Sequence, residues 1–319
     1  MKISGRFPQI IEPELSGAPA LICSWIDSNR DTLFDMLNTS GAILLRGFSI
    51  SDNMTFRKVC TSITPDLRNY IGGDSPRVAI DDQIYTSTEY INDLEVLLHN
   101  ELSYGGWFPN FVMFGCMQPA NIGGATHIAD GRKILKDLPK DLVERFSRND
   151  ITYLQYLPDK KHTSEYGKTW QETFETDNAQ QVSEHLIKSQ IKYEWTPFGL
   201  RTRATRPAIQ IHPHTLEVCW HNQADQWHRE LSSVKDSVFR DSSDACDKTA
   251  GTKTFGSHAC FGNGEEISAD DLLKIRQVSQ KHEVLFNWQK GDLLILDNIL
   301  TMHGRKPYSG ERRIIVAMS

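Results

Sequence analysis

A mostly apolar run at residues 94–98 ends abruptly in His99-Asn100-Glu101. In an extended strand, residues two apart project to the same side. His99 and Glu101 can therefore reach one point in space, while Asn100 points away. Two imidazoles and one carboxylate meeting at a metal form a facial triad, a donor set that suits Fe(II) with open coordination positions. The third ligand must come from far along the chain. The best candidate is His303, in the stretch Asp297-Asn298-Ile299-Leu300-Thr301-Met302-His303-Gly304-Arg305. A His-x-Glu pair alone describes a surface strand with alternating polar residues equally well, so its weight comes from the rest of the chain.

The elements that must position these residues are mainly strands. Residues 42–48, 111–116, 151–157, 192–196, 200–205, 217–221, 284–287, 293–296 and 313–318 read as strands, several apolar throughout as buried strands are. Residues 85–90, Tyr-Thr-Ser-Thr-Glu-Tyr, precede the His99 strand; they read either as a pocket lining or as an ordinary sheet strand. Helical spacing appears at 25–37, 54–67, 133–146, 170–174 and 182–189. Asp177 and Asn178 are candidate caps for the last of these, and Ser268-Ala269-Asp270-Asp271 resembles a capping box opening a helix to about Lys281. The stretch 231–264 is polar and irregular, which suggests a long loop or lid. With no internal repeat or linker, these features predict one domain over 1–319. It should be β-rich α+β, a double-stranded β-helix (jelly roll) core with flanking helices. The mouth of such a core lets ligands distant in sequence converge.

Composition narrows the function. The chain has 319 residues, 39% hydrophobic and 24% charged, with a formal net charge of -6. It has no basic block, which argues against a nucleic-acid partner. Arg201, Arg203 and Arg206 alternate with small residues as in a strand. Six cysteines lie far apart without a C-x-x-C pair, arguing against a zinc ribbon or disulfide framework. No stretch has the length of a membrane span, and the first residues lack the apolar core of a signal peptide. The expectation is a cytoplasmic protein with reduced thiols and no membrane partner.

Taken together, the motifs at Gly41–Phe48, Tyr85–Tyr90, His99–Glu101, Gly123-Gly124-Ala125-Thr126, Trp170-Gln171 and Gly291–Met318 resemble the TauD/TfdA-like Fe(II)- and 2-oxoglutarate-dependent dioxygenases. Within that family the chain is most similar to the branch around clavaminate synthase and the SyrP-like hydroxylases. The resemblance implies that His99, Glu101 and His303 hold iron, with 2-oxoglutarate and O2 as cosubstrates. Most of the wider family has Asp at the carboxylate position, and Glu101 matches the clavaminate-synthase branch. The resemblance also implies that Thr126 and an arginine shortly after the distal histidine bind the far carboxylate of 2-oxoglutarate. Arginine's planar fork suits that role. Arg312 and Arg313 compete for it; on a strand only one can point inward, and the family pattern favours Arg313. Thr88 and His221 are the candidates for contacting substrate, His221 because the family often lines the pocket at that place.

The remaining histidines read as structural. His127 should point opposite to Thr126, His212 and His214 flank Pro213 in a loop, and His228, His258 and His282 have no special context. The implied activity is hydroxylation of an unactivated C–H bond, by analogy in an amino acid or amino-acid derivative, free or tethered to a carrier protein, in natural-product biosynthesis. Desaturation or oxidative cyclisation would use the same cofactors. A zinc hydrolase with the same ligands would leave Thr126 and the arginine without a role, and a non-catalytic β-sandwich binding protein would not need all three ligands.

Overall fold

Ala42–Leu45 and Leu293–Asp297 are buried at every position, as strands covered on both faces must be. They pair antiparallel, Leu44 opposite Leu294, in the middle of an eight-stranded sheet. The computed structural model describes residues 1–15, 18–88, 90–162, 168–228 and 256–319. Across the large sheet the strands run in the order Lys2–Ser4, Gln9–Glu12, Ala42–Leu45, Leu293–Asp297, Phe111–Gln118, Arg313–Met318, Ile84–Thr86 and Ala79–Asp81. One face of this sheet lies under the helices Pro19–Ser28, Arg30–Ser40 and Asn53–Ile63, where Ile26, Leu37, Phe56, Ile295 and Ile315 share a core. On the other face Leu44, Phe114, Leu294 and Val316 share a core with Leu98, Ile128 and Met302. Those three belong to a four-stranded sheet ordered Val284–Phe286, Thr126–Asp130, Thr301–Arg305 and Val96–His99. Burying side chains of this size contributes about 1.5–3 kcal/mol each, so the two cores fix the sheets on which the triad stands.

A second four-stranded sheet is ordered Lys192–Thr196, Gly199–Arg206, Ile151–Pro158 and Gly256–Phe261. Its last strand falls inside the stretch expected to be an irregular lid. Residues 256–261 pair with Ile151–Tyr156 and are mostly buried, so for that part the lid reading is wrong. Residues 231–255 lie outside the described residues.

Two expected helices are each broken in two. The 25–37 pattern divides at Asn29, whose backbone is not helical, into Pro19–Ser28 and Arg30–Ser40. The 133–146 pattern divides into Gly131–Asp137 and Lys140–Asn149. Pro139 is the cause: it lacks an N–H and pushes Leu138 into an extended conformation. Caps behave as their chemistry requires. Asn178 accepts from the N–H groups of Gln180 and Gln181 and opens Ala179–Lys188, and Ser268 accepts from Asp271 N–H to open Ala269–Lys281. Among the described residues no helix is long and apolar enough to cross a membrane.

Candidate metal centre and its flanking cavities

The strands Val96–His99 and Thr301–Arg305 are antiparallel neighbours, with His303 directly opposite His99. Residues facing each other across such a pair lie about 5 Å apart. Their imidazoles therefore meet, ring centroids 4.4 Å apart. Glu101 lies just past the strand end. Its Oε2 is 3.5 Å from His303 Nε2, and the ligand-type atoms of His99, Glu101 and His303 all lie within 4.8 Å of one another. All three residues are buried.

What holds Glu101 in place is a clasp of two asparagines that spacing alone did not reveal. Asn298 accepts from Glu101 N–H at 2.7 Å, and its Nδ2 donates to the carbonyls of Glu101 at 3.0 Å and Pro109 at 2.9 Å. Asn100 points away from the triad, as alternation requires, and its Nδ2 donates to Asn298 O at 2.7 Å. Both asparagines are fully buried. The sequence signalled Asn100 only by its place between two candidate ligands, and Asn298 only by its place in the stretch that carries His303.

The protonation states suit a divalent metal. Burial, then the neighbouring His303, pushes the His99 pKa down to about 3. Burial likewise lowers His303. Both rings are neutral at pH 7. His99 Nδ1 lies 2.8 Å from Leu97 O; a carbonyl only accepts, so Nδ1 carries the proton and Nε2 keeps its lone pair for the site. Burial works to raise the Glu101 carboxyl, but Arg77, with help from the two imidazoles, holds it well below the usual carboxylate range. Arg77 Nη2 donates to Glu101 Oε2 at 2.6 Å. No motif singled out Arg77, which sits in a loop as Ser75-Pro76-Arg77.

Two cavities flank the triad. The first is lined by His99, His303, Arg77, Thr88, Thr126, Phe114 and Arg312. Thr126 Oγ accepts from Trp288 Nε1 at 2.9 Å and still has its own proton to donate. Arg312 has only neutral hydrogen-bond partners here: Nη1 donates to Ser87 Oγ at 3.3 Å and Nε to Gly124 O at 3.4 Å. Burial, then repulsion from Arg305, pushes its pKa down to about 10, so this is a partly buried cation with no carboxylate beside it among the described residues.

Arg313 is not in this cavity. It is exposed and donates to Asn53 Oδ1 at 3.1 Å on the helix-covered side of the sheet. The expectation that Arg313 points inward is therefore corrected in favour of Arg312. The reason is strand phase. Ile314, Val316 and Met318 face the core shared with the triad, whereas Ile315 and Ala317 face the helices. Arg312 is in phase with the first set and Arg313 with the second.

The second cavity is lined by His99 and Glu101 together with Tyr70, Asp74, Tyr104 and Trp227. Neither substrate candidate lies in it. Thr88 belongs to the Arg312 cavity, and His221 lines neither cavity. His221 packs against Phe108, ring centroids 4.6 Å apart, and burial pushes its pKa down to about 3. Its place in the core replaces the expected substrate contact. His127 faces away from Thr126, its Nε2 2.9 Å from Val96 O and its Nδ1 2.9 Å from Glu283. His212 lies in the turn before Thr215 and meets Asp297 Oδ2 at 2.9 Å. His228 and His258, which had no sequence context, come together with Glu266.

Comparison with known proteins adds the family. Residues 9–318 match the model of the "Taurine catabolism dioxygenase TauD, TfdA family". The chain belongs to this dioxygenase family. The dapdiamide synthesis protein DdaC of Enterobacter agglomerans is 32% identical over 318 residues, covering 97% of this chain and 93% of that protein. A clavaminate synthase-like protein of Arabidopsis thaliana is 24% identical, with 99% and 94% covered. Among solved structures, PvcB of Pseudomonas aeruginosa is similar in fold with a TM-score of 0.53 at 16% identity, over 98% of this chain and 85% of that one. An asparagine oxygenase solved with Fe(II), 3-hydroxyasparagine and succinate has a TM-score of 0.56 at 12% identity, over 97% and 92%. This TauD/TfdA-family chain thus extends over most of each relative.

The asparagine clasp makes a prediction about stability. Asn298→Ala would strand the N–H and C=O of Glu101 and the carbonyl of Pro109 in the interior. It should destabilise the protein by roughly 3 kcal/mol, read as a lower urea midpoint at unchanged slope.

Proposed function

We propose that His99, Glu101 and His303 hold Fe(II) and that Arg312 with Thr126 binds the distal carboxylate of 2-oxoglutarate. One observation carries the reading: a partly buried arginine with no acidic partner among the described residues lines the same cavity as two triad histidines. A five-carbon diacid chelating the metal at one end needs a cation for its other end, and an arginine fork with a hydroxyl beside it supplies one. The donor set fits the metal by its chemistry, with two neutral imidazoles and one carboxylate leaving positions for cosubstrate and O2. When bound, iron with 2-oxoglutarate and O2 supplies the oxidising power, releasing succinate and CO2. The protein's own residues orient and shield. Leu97 O sets the His99 tautomer, the asparagine clasp holds Glu101, and Thr126 and Arg312 orient the cosubstrate in a cavity walled by Phe114.

The enzyme is an Fe(II)- and 2-oxoglutarate-dependent oxygenase formed as one domain over 1–319, and it hydroxylates an unactivated C–H bond of a small amino acid or amino-acid derivative. The two sheets that share the triad-side core form its double-stranded β-helix. A role in natural-product biosynthesis is supported by the full-length similarity to a dapdiamide synthesis protein.

Three outcomes test this. His99→Ala and His303→Ala should each fold yet lose most bound iron, read by metal analysis after anaerobic loading; full occupancy in either would end the assignment. Arg312→Ala should weaken 2-oxoglutarate binding by about 2–5 kcal/mol, because a buried carboxylate loses its charged partner. Arg313→Ala should change it little, and Thr126→Val should lose on the order of 1 kcal/mol. Oxygen uptake should match succinate formation, and no chlorinated product should appear even in high chloride, because Glu101 fills the position a halide would need.

A further inference from the structure

Among the described residues, two further clusters of histidine and carboxylate groups match the triad in size: Glu95 with His127 and Glu283, and His228 with His258 and Glu266. The first is already neutralised. Lys306 Nζ donates to Glu95 at 2.7 Å and to Glu283 at 2.9 Å, and His127 Nδ1 lies 2.9 Å from Glu283. That cluster is an ion-pair network built around its own lysine.

The second cluster is built differently. His228 follows the short helix Ala224–Trp227, and His258 lies in the strand Gly256–Phe261. Glu266 lies in the connection between that strand and the helix Ala269–Lys281. Three segments therefore converge on one place. Both imidazoles are buried, 2% and 0% exposed, with ring centroids 4.8 Å apart. Their Nε2 atoms approach the same oxygen: His258 Nε2 is 2.9 Å and His228 Nε2 3.7 Å from Glu266 Oε2. A hydrogen bond accounts for the first approach, but the second is too long to be one. A tetrahedral metal with ligands at about 2.0–2.2 Å holds its donor atoms roughly 3.3 Å apart, and the two observed separations bracket that value. The Glu266 side chain is 47% exposed, so an ion has a path from solvent and the carboxylate has room to adjust.

We propose that His228, His258 and Glu266 bind a zinc ion at a second site, distinct from the triad in all three ligands. Two imidazoles and a carboxylate are a zinc donor set and leave one tetrahedral position for water. A site of given nitrogen and oxygen donors binds zinc more tightly than Fe(II). The ion ties the end of the helix Ala224–Trp227 to the strand Gly256–Phe261. Trp227, next to His228, lines the cavity beside His99 and Glu101, so the ion fixes one wall of that cavity.

The test strips the full chain of metal with a chelator and titrates it with Zn2+ against a zinc indicator of micromolar affinity. The wild type should take up two ions per chain, because the triad offers the same donor types. Glu266→Gln removes the charge at an exposed side chain and leaves the buried imidazoles in place, so the fold should persist. It should weaken one binding event at least tenfold and keep the other, since metal affinity follows the ligand set. His303→Ala should do the reverse, losing the triad ion and keeping the one that depends on Glu266. The proposal is overturned if the wild type takes up a single ion that His303→Ala abolishes. It is also overturned if Glu266→Gln leaves every binding event unchanged. If Glu266→Gln loses an ion and His303→Ala loses none, the second site stands and the triad assignment fails instead.

Discussion

The pairing of His303 opposite His99 across two hydrogen-bonded strands is the constraint on which the site depends. A backbone ladder sets the distance between two side chains more tightly than any loop can, because a slip of one strand by one residue would turn its imidazole to the opposite face and away from its partner. The third donor lacks that support, since Glu101 stands beyond the last ladder bond of its strand. The Asn100–Asn298 clasp replaces the missing ladder with side-chain amides that hold the Glu101 backbone at both N–H and C=O. Because Asn298 lies between Leu293–Asp297 and Thr301–Arg305, one residue ties the carboxylate ligand to the turn that precedes the distal histidine.

Charge balance organises the rest. A buried carboxylate and two buried imidazoles would ordinarily resist burial. The imidazoles answer by staying neutral, and Glu101 by pairing with Arg77. Among the described residues Arg312 has no counter-ion. A partly buried cation that no described residue neutralises favours an anionic ligand, and the proposed cosubstrate site rests on that feature.

Strand-forming stretches and the candidate ligands were readable because they depend on local patterns: apolar runs, turn residues, and a histidine two residues from a carboxylate. The same locality explains the errors. Residues 25–37 and 133–146 kept helical spacing across breaks at Asn29 and Pro139, because the core recognises the apolar face and not the continuity of the helix. His221 looked like a pocket residue from its place in the family pattern, yet it packs on Phe108.

By itself the sequence determined the family, singled out the three candidate donors that the structure brings together, and required that one of two adjacent arginines point inward. It did not determine which one. Arg313–Met318 is apolar on both faces after its first residue, since one face meets the helices and the other the triad-side core. A strand buried on both sides carries no polar alternation from which its phase could be read. Only the packing of the large sheet between two cores decided that Arg312 faces the metal site. Only the convergence of a loop at Arg77 with a strand end at Glu101 placed a buried cation beside the triad, because that contact spans 24 residues and no local pattern encodes it.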